Sequence, residues 1–243
     1  MKSSLSFSLI AAAAILIPTS LSAQIINIDF LSQRGSESVA SNYSGPSAAG
    51  SGDVFNGLAA DNSAESDNID VSGGNLKDSG GNGTTVGFSI SEVGADNDGA
   101  FTDGILNGAY LFLNSAGNTV GSTSFTISGL TTTSADLYFY TSNNSAINNP
   151  TITLTNGGTR TTYTPITSPS IFNSADTVEY VDVPVVGGQI TGTFGGAGAN
   201  QSNVIIFGGL TIDEVPEPST WAMLAAGLGL VGMVARFRHR CAR

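Results

Sequence analysis

The sequence predicts an all-β body, a single antiparallel β-sandwich of jelly-roll type, followed by one C-terminal transmembrane helix. Three observations predict it. Between Gln24 and Val215 apolar residues alternate with polar ones in short runs, and no stretch sustains a 3.6-residue period. These runs are rich in β-branched and aromatic residues and are separated by Gly, Asn, Ser and Asp clusters. Beyond Thr220 an unbroken apolar stretch ends in arginines, the pattern of a span with a basic stop.

The strands follow in order. Ile26, Ile28 and Phe30 alternate with Asn27 and Asp29, and Val86, Phe88 and Ile90 with Gly87 and Ser89. Phe125 and Ile127 alternate with Thr126 and Ser128. Leu137 to Tyr140, Ile152 to Leu154, Val178 to Val183, Ile190 to Phe194 and Val204 to Ile212 complete the set. Asn156-Gly157-Gly158 predicts a hairpin turn through positive-φ positions, and Gly187-Gly188 predicts another. Ser32 to Gly83 is polar, with Val54-Phe55 its main apolar pair, and reads as long surface loops around one or two short strands. Many short strands at roughly regular spacing, with no internal repeat, give the sandwich.

Both ends read as membrane-directed. Lys2, the apolar run Leu5 to Ile17, the breaker Pro18 and the small residues before Gln24 make a signal peptide of residues 1–23, cut between Ala23 and Gln24. The Sec translocon and signal peptidase are its expected partners. The body is then 24–214, and residues 215–243 form a separate tail. Within the tail, Pro216 and Pro218 keep Glu217 in extended backbone. A helix over about 220–235 would be about 24 Å long, slightly short of a roughly 30 Å hydrocarbon core. Trp221 suits one interface, and Arg236, Arg238 and Arg240 act as the membrane stop at the other.

Charge and residue inventory exclude several functions. Residues 24–215 hold three basic residues, Arg34, Lys77 and Arg160, against 18 acidic ones, a net charge of −15. Such a body repels nucleic acid and lacks cations for phosphate. The only histidine is His239 and the only cysteine Cys241, both in the basic tail. The body therefore holds no disulfide, no Ser-His-Asp or Cys-His catalytic set and no histidine-ligated zinc. Gly227 to Gly232 fits a dinucleotide-loop glycine pattern, but no strand precedes it and no acid follows. In an apolar helix such glycines allow close helix packing instead.

Two sets of residues are left as binding candidates. Asp96, Asp98 and Asp103, around Gly99, resemble the first half of a calcium loop, so no cofactor is expected and a structural Ca²⁺ is the one metal the residues admit. No glutamate follows at EF-hand spacing, and an Asx-rich turn explains the same residues. Tyr138 and Tyr140 lie two apart on one strand and so share a face, either a sugar platform or core packing. With 18 acids in the body, a carboxylate pair for glycoside chemistry is available, but no pair is singled out.

The tail Val215-Pro216-Glu217-Pro218-Ser219, with its glycine- and leucine-rich span and arginine-rich end, resembles the PEP-CTERM protein-sorting signal of exopolysaccharide-producing bacteria. The resemblance implies recognition of Pro216, Glu217 and Pro218 by an exosortase, a membrane cysteine protease that processes the tail. The body is similar, more loosely, to domains found in front of this signal. The similarity rests on Ile26 to Phe30, Asn75 to Gly81, Phe125 to Leu130 with Asp136 to Tyr140, and Phe207 to Ile212. It implies a β-sandwich of the galactose-binding type without an enzymatic signature. The expected protein is exported, held transiently in the inner membrane, and released to the cell surface or biofilm matrix. No catalytic residue is expected there, and its role is structural or weakly exopolysaccharide-binding. The alternatives are a lyase or glycosidase on a jelly-roll scaffold and a calcium-stabilised adhesin.

Overall fold

Alternating sequence becomes paired strand in a computed structural model that describes residues 24–34, 43, 47–49, 54–62, 68–97, 109–113, 122–143, 151–157, 159–162, 177–195, 205–215, 229 and 232. The described strands are β1 (Ile25–Arg34), β2 (Phe55–Asn62), β3 (Ile69–Gly73), β4 (Gly87–Asn97), β5 (Ala109–Leu113) and β6 (Ser122–Ser128). They continue as β7 (Ser134–Asn143), β8 (Thr151–Leu154), β9 (Thr159–Thr162), β10 (Thr177–Pro184), β11 (Gln189–Gly195) and β12 (Ile205–Val215). Ala23–Pro216 forms one unit by its contacts, apart from the remaining residues at the two ends.

The body is all-β with two sheets. One runs β2–β1–β12–β7–β10–β9, with β5 pairing the first residues of β12. The other runs β3–β4–β6–β11–β8. Strand β4 joins them: Gly87 to Ile90 pair with β6, and Gly94 to Asn97 pair with β5. Between those stretches Glu92 has φ +55°, a local break that redirects the strand.

Period-2 alternation fixes what faces inward. Phe30, Phe139 and Phe207 of the first sheet meet Phe88, Phe125 and Phe194 of the second. Phe207 is central, with its ring 5.0 Å from Phe30, 5.1 Å from Phe194 and 5.8 Å from Phe139. Offset and edge contacts of this kind add to the burial of each ring. Gly192 makes room for this packing, because a Cβ there would lie 2.7 Å from the Phe125 ring.

Four expectations are corrected. The antiparallel reading fails at one place: β1 and β2 run parallel, Asn27 facing Phe55 and Arg34 facing Asn62. Parallel strands need a connection longer than a hairpin turn, and residues 35–54 separate the two in sequence. The turn at Asn156-Gly157 does not close a hairpin, since β8 pairs only with β11 and β9 only with β10 among the described strands. Gly157 does take φ +89°, but the turn passes the chain from one sheet to the other. Gly187 and Gly188, at φ +61° and +74°, close a tight turn with paired hydrogen bonds between Val186 and Gln189. The flanking β10 and β11 then part into different sheets. Finally, Ala109–Leu113 forms a strand, β5, that alternation does not predict. The polar stretch from Ser32 to Gly83 contains β2 and β3 among its described residues, within the one or two strands expected there.

Candidate functional site

The first sheet has an acidic, partly covered outer face. On β1 the inward residues are Ile26, Ile28 and Phe30, so Asn27 and Asp29 point the other way. Both are nevertheless buried, with Tyr43 and Val54 hydrogen-bonded to them and Ala48 and Phe55 packed with Tyr43 around Tyr140. Asp29 Oδ2 accepts from the Tyr43 backbone N–H at 2.7 Å. Burial pushes the Asp29 carboxyl up to about 7, against the lowering effect of backbone N–H groups of Tyr43 and Phe30.

Beside it lies a directed chain of hydrogen bonds. Ala48 N–H donates to the Tyr140 hydroxyl oxygen at 2.9 Å, and Tyr140 and Thr211 hydroxyls bond at 2.6 Å. Thr211 donates to Asn27 Oδ1 at 2.8 Å, and Asn27 Nδ2 donates to Val54 O at 3.3 Å. Because Thr211 gives its one proton to Asn27, Tyr140 must be the donor to Thr211. Asn56 continues the tie, donating from Nδ2 to Asn27 O and Lys77 O while its Oδ1 accepts from Lys77 N–H. Burial raises the Tyr140 hydroxyl to about 12.

This geometry separates the two tyrosines. They share a face, as expected, but Tyr140 is 0% exposed and packs with Phe55, Tyr43 and Ala48. It cannot stack on a sugar. Tyr138 is half-buried among carboxylates, and burial followed by the charges of Glu179 and Asp136 raises its hydroxyl strongly. Asp136 and Asp213 face one another across β7 and β12, and both are raised, chiefly by burial and then in part by carboxylate neighbours. Asp136 Oδ1 accepts from Asp182 N–H at 2.8 Å, and Asp182 sits at φ +53° in a β-bulge. No group of three or more metal-ligating side chains is found among the described residues. Of the expected calcium set, Asp96 lies in β4 with only its backbone described, and Asp98 and Asp103 lie outside the described residues.

The second sheet has a different outer face. Ser72 pairs with Ser89, Ser89 with Thr126, and Thr126 with Thr191. A second row runs Ser124, Thr193 and Thr153. These seven hydroxyl residues carry no charge, in a body of net charge −15. The exposed loop at one end is well braced: Asp78 Oδ1 accepts from Gly80 N–H and Asn82 N–H, and hydrogen bonds from Asn82 hold its carboxyl below the usual range. Ser79 N–H donates to Ile25 O at 2.6 Å, tying that loop to β1. Lys77 is exposed there, with its backbone held by Asn56.

Strand β12 leads straight into the tail. Glu214 N–H donates to Gln24 O at 3.0 Å, its Oε1 accepts from Thr131 N–H at 2.7 Å, and Val215 pairs with Ser134. The next residue is Pro216, which cannot donate to a ladder. The PEP-CTERM protein-sorting motif matches residues 214–240. The chain carries a PEP-CTERM signal. No curated protein and no solved structure matches it. The signal implies an exported protein sorted by an exosortase, and PEP-CTERM proteins are exported and envelope-associated. The expected recognition residues Pro216, Glu217 and Pro218, the expected stop residues Arg236, Arg238 and Arg240, and the expected exit residue Ala23 lie outside the described residues, whereas Gln24 is described and immediately precedes β1. Among the described residues no helix is long and apolar enough to cross a membrane. Within the expected span only Gly229 and Gly232 are described, and both are helical.

Sequence reasoning missed the Asp29 and Tyr140 seam. Asn27 and Asp29 alternate with apolar residues and so look solvated. Cover from Tyr43, Ala48 and Phe55 leaves no periodic trace, and the available signal is the pair of aromatic residues, Tyr43 and Phe55, in a polar stretch.

Proposed function

We propose that this is a non-enzymatic protein of the extracellular matrix or cell surface, held transiently by its tail and processed by an exosortase. The PEP-CTERM match at residues 214–240 carries the reading. The strand-built body suits a structural role, with weak binding of exopolysaccharide. The hydroxyl rows at the centre of the second sheet, with Asp70 at the β3 edge, are the better glycan surface, because Tyr140 is buried and Tyr138 sits among carboxylates. A flat row of hydroxyls offers many individually weak hydrogen bonds to a neutral polymer, with no charge to desolvate.

Intact mass spectrometry of the exported protein, from hosts with and without the exosortase, tests the sorting role. The tail is expected to shorten only where the enzyme is present, and an identical complete tail in both hosts ends the proposal. Co-sedimentation with insoluble neutral glucan tests the face. Retention is expected to persist in 0.5 M salt, where charges are screened within about 4 Å, and to disappear in Thr126→Asp/Thr193→Asp. Equal retention of that variant removes the face from consideration.

A further inference from the structure

Resting on the neutral-glycan reading above, we infer that the second sheet seats a linear β-linked polysaccharide across its strands, one sugar to each of β3, β4, β6, β11 and β8. Val71, Ile90, Ile127, Ile190 and Leu154 on these strands are buried, so the residues next to them point outward. Ser72 of β3 pairs with Ser89 of β4, Ser89 with Thr126 of β6, and Thr126 with Thr191 of β11. Thr155, just past β8, donates its N–H to Thr191 O at 2.9 Å and extends the row by one more hydroxyl. None of the hydroxyls in this row bonds to another described residue. Elsewhere the hydroxyls of Thr84, Thr85, Thr123 and Thr211 are spent on Leu76 O, Gly129 O, Ser91 O and Asn27 Oδ1.

Spacing decides the class of polymer. Neighbouring strands lie about 4.8 Å apart, whereas alternate residues along one strand are about 6.7 Å apart. In a β-1,4-linked chain both linkages of each sugar are equatorial, so the chain is a ribbon that advances one ring length per sugar. That step is close to one strand spacing and well short of two residues along a strand. Laid across the sheet, successive sugars meet Ser72, Ser89, Thr126, Thr191 and Thr155 nearly in phase. Laid along β6, they soon fall out of phase with Ser122, Ser124 and Thr126. An α-linked chain coils and keeps neither match. Rotation of roughly 20–25° between adjacent strands is met by small torsions at each linkage. The second row, Ser124, Thr193 and Thr153, lies two residues away and reaches the other edge of the same rings. No charged or aromatic side chain points outward from the paired stretches of β4, β6, β8 and β11. The acid on β3, Asp70, accepts from Glu92 N–H at 3.2 Å. Neutral rings therefore settle on the row without stripping water from a charge.

The test is an NMR titration of the full exported protein with soluble β-1,4-linked gluco-oligosaccharides from the dimer to the hexamer, and with the α-1,4-linked hexamer. Affinity is expected to climb about two- to tenfold per added sugar, the worth of one net hydrogen bond, and to level at the pentamer. Amide shifts are expected on every strand of the row, out to Ser72 and Thr155. Ser72→Ala and Thr155→Ala, at its two exposed ends, are each expected to weaken pentamer binding by that same factor and to leave the trimer unchanged. Shifts confined to the length of β6, levelling at or before the trimer, or equal affinity for the α-linked hexamer overturn the crossing geometry and leave the glycan face standing. No shift on this face with any saccharide, together with no retention on insoluble glucan, overturns both. A dimer that buries the row, seen by sedimentation velocity, also overturns it, since a second copy of the chain would then be the occupant.

Discussion

Asp29 has the most consequential environment of any single residue in the body. Its carboxyl titrates near 7 in the fold against 3.8 for the unreacted side chain, so folding favours the protonated form. The unfolded chain releases its proton first as pH rises. Stability from this group is therefore greatest below about pH 4 and is lost as pH climbs towards 7, by at most about 4 kcal/mol at 1.36 kcal/mol per unit. Asp29→Asn is expected to flatten that decline, seen as urea midpoints that no longer fall between pH 4.5 and pH 7.5. An unchanged pH slope would show that Asp29 is not the source. Tyr140→Phe removes the hydroxyl that accepts from Ala48 and donates to Thr211, leaving buried groups unpaired. It is expected to cost about 1–3 kcal/mol and to speed exchange of the Ala48 amide, measured by urea unfolding and hydrogen exchange. Both effects concern the cover over β1, β12 and β7, and neither residue need touch a ligand.

Turns are where the elements are most sharply specified. Gly129, at φ +74°, joins β6 to β7, and a Cβ there would collide with the carbonyl oxygen of Thr85. Thr85 in turn donates its hydroxyl to Gly129 O at 2.7 Å, so the two backbones are locked together. Gly157 has a similar φ of +89° but open space around its Cβ position. Gly157→Ala should therefore cost only the left-handed backbone penalty, about 1–2 kcal/mol. Gly129→Ala pays the same penalty plus the clash, and thermal unfolding should show a clearly larger loss of Tm. Equal losses would mean that the Thr85 contact relaxes freely. Between the two sheets, Tyr180 O–H donates to Ile152 O at 2.6 Å, linking β10 to β8. That bond helps explain why the 155–158 turn spans two sheets instead of closing a hairpin.

The whole body has two outer faces of opposite character. The first sheet gathers Asp29, Asp136, Glu179 and Asp213 around Tyr138 and Tyr140, whereas the central rows of the second carry only hydroxyls. A neutral polymer is expected to prefer the second face and an anionic one to be repelled by the first. Binding to an alginate-type polyanion should accordingly be weaker than to neutral glucan, and more so at low salt. Stronger binding to the polyanion, in the same sedimentation assay, would sink the assignment. Both ends of the folded chain lie together at Gln24 and Glu214, so a tail-held body would be tethered at a single point.

What was legible in the sequence follows from where each signal is stored. Period-2 alternation in Ile26 to Phe30 or Phe125 to Ile127 records which side of a strand is apolar, so strands and core were readable. Glycine turns record a backbone angle, so Gly157 and Gly187 were readable as turns. Neither signal records the partner. Whether a strand beyond a turn pairs with its predecessor depends on long-range packing, and here β8 and β9, like β10 and β11, went to different sheets. The run of Ala109 to Leu113 is five residues with no alternation and gave no period to detect. The sequence alone determined the all-β class, the acidic character of the body and the sorting tail, because these are local patterns or sums over residues. Only the tertiary structure decided that Asp29 and Tyr140 are buried, that β1 pairs parallel with β2, and that β12 is zipped to its last residue before Pro216. Those facts arise from contacts between residues tens to hundreds of positions apart, which no local window contains.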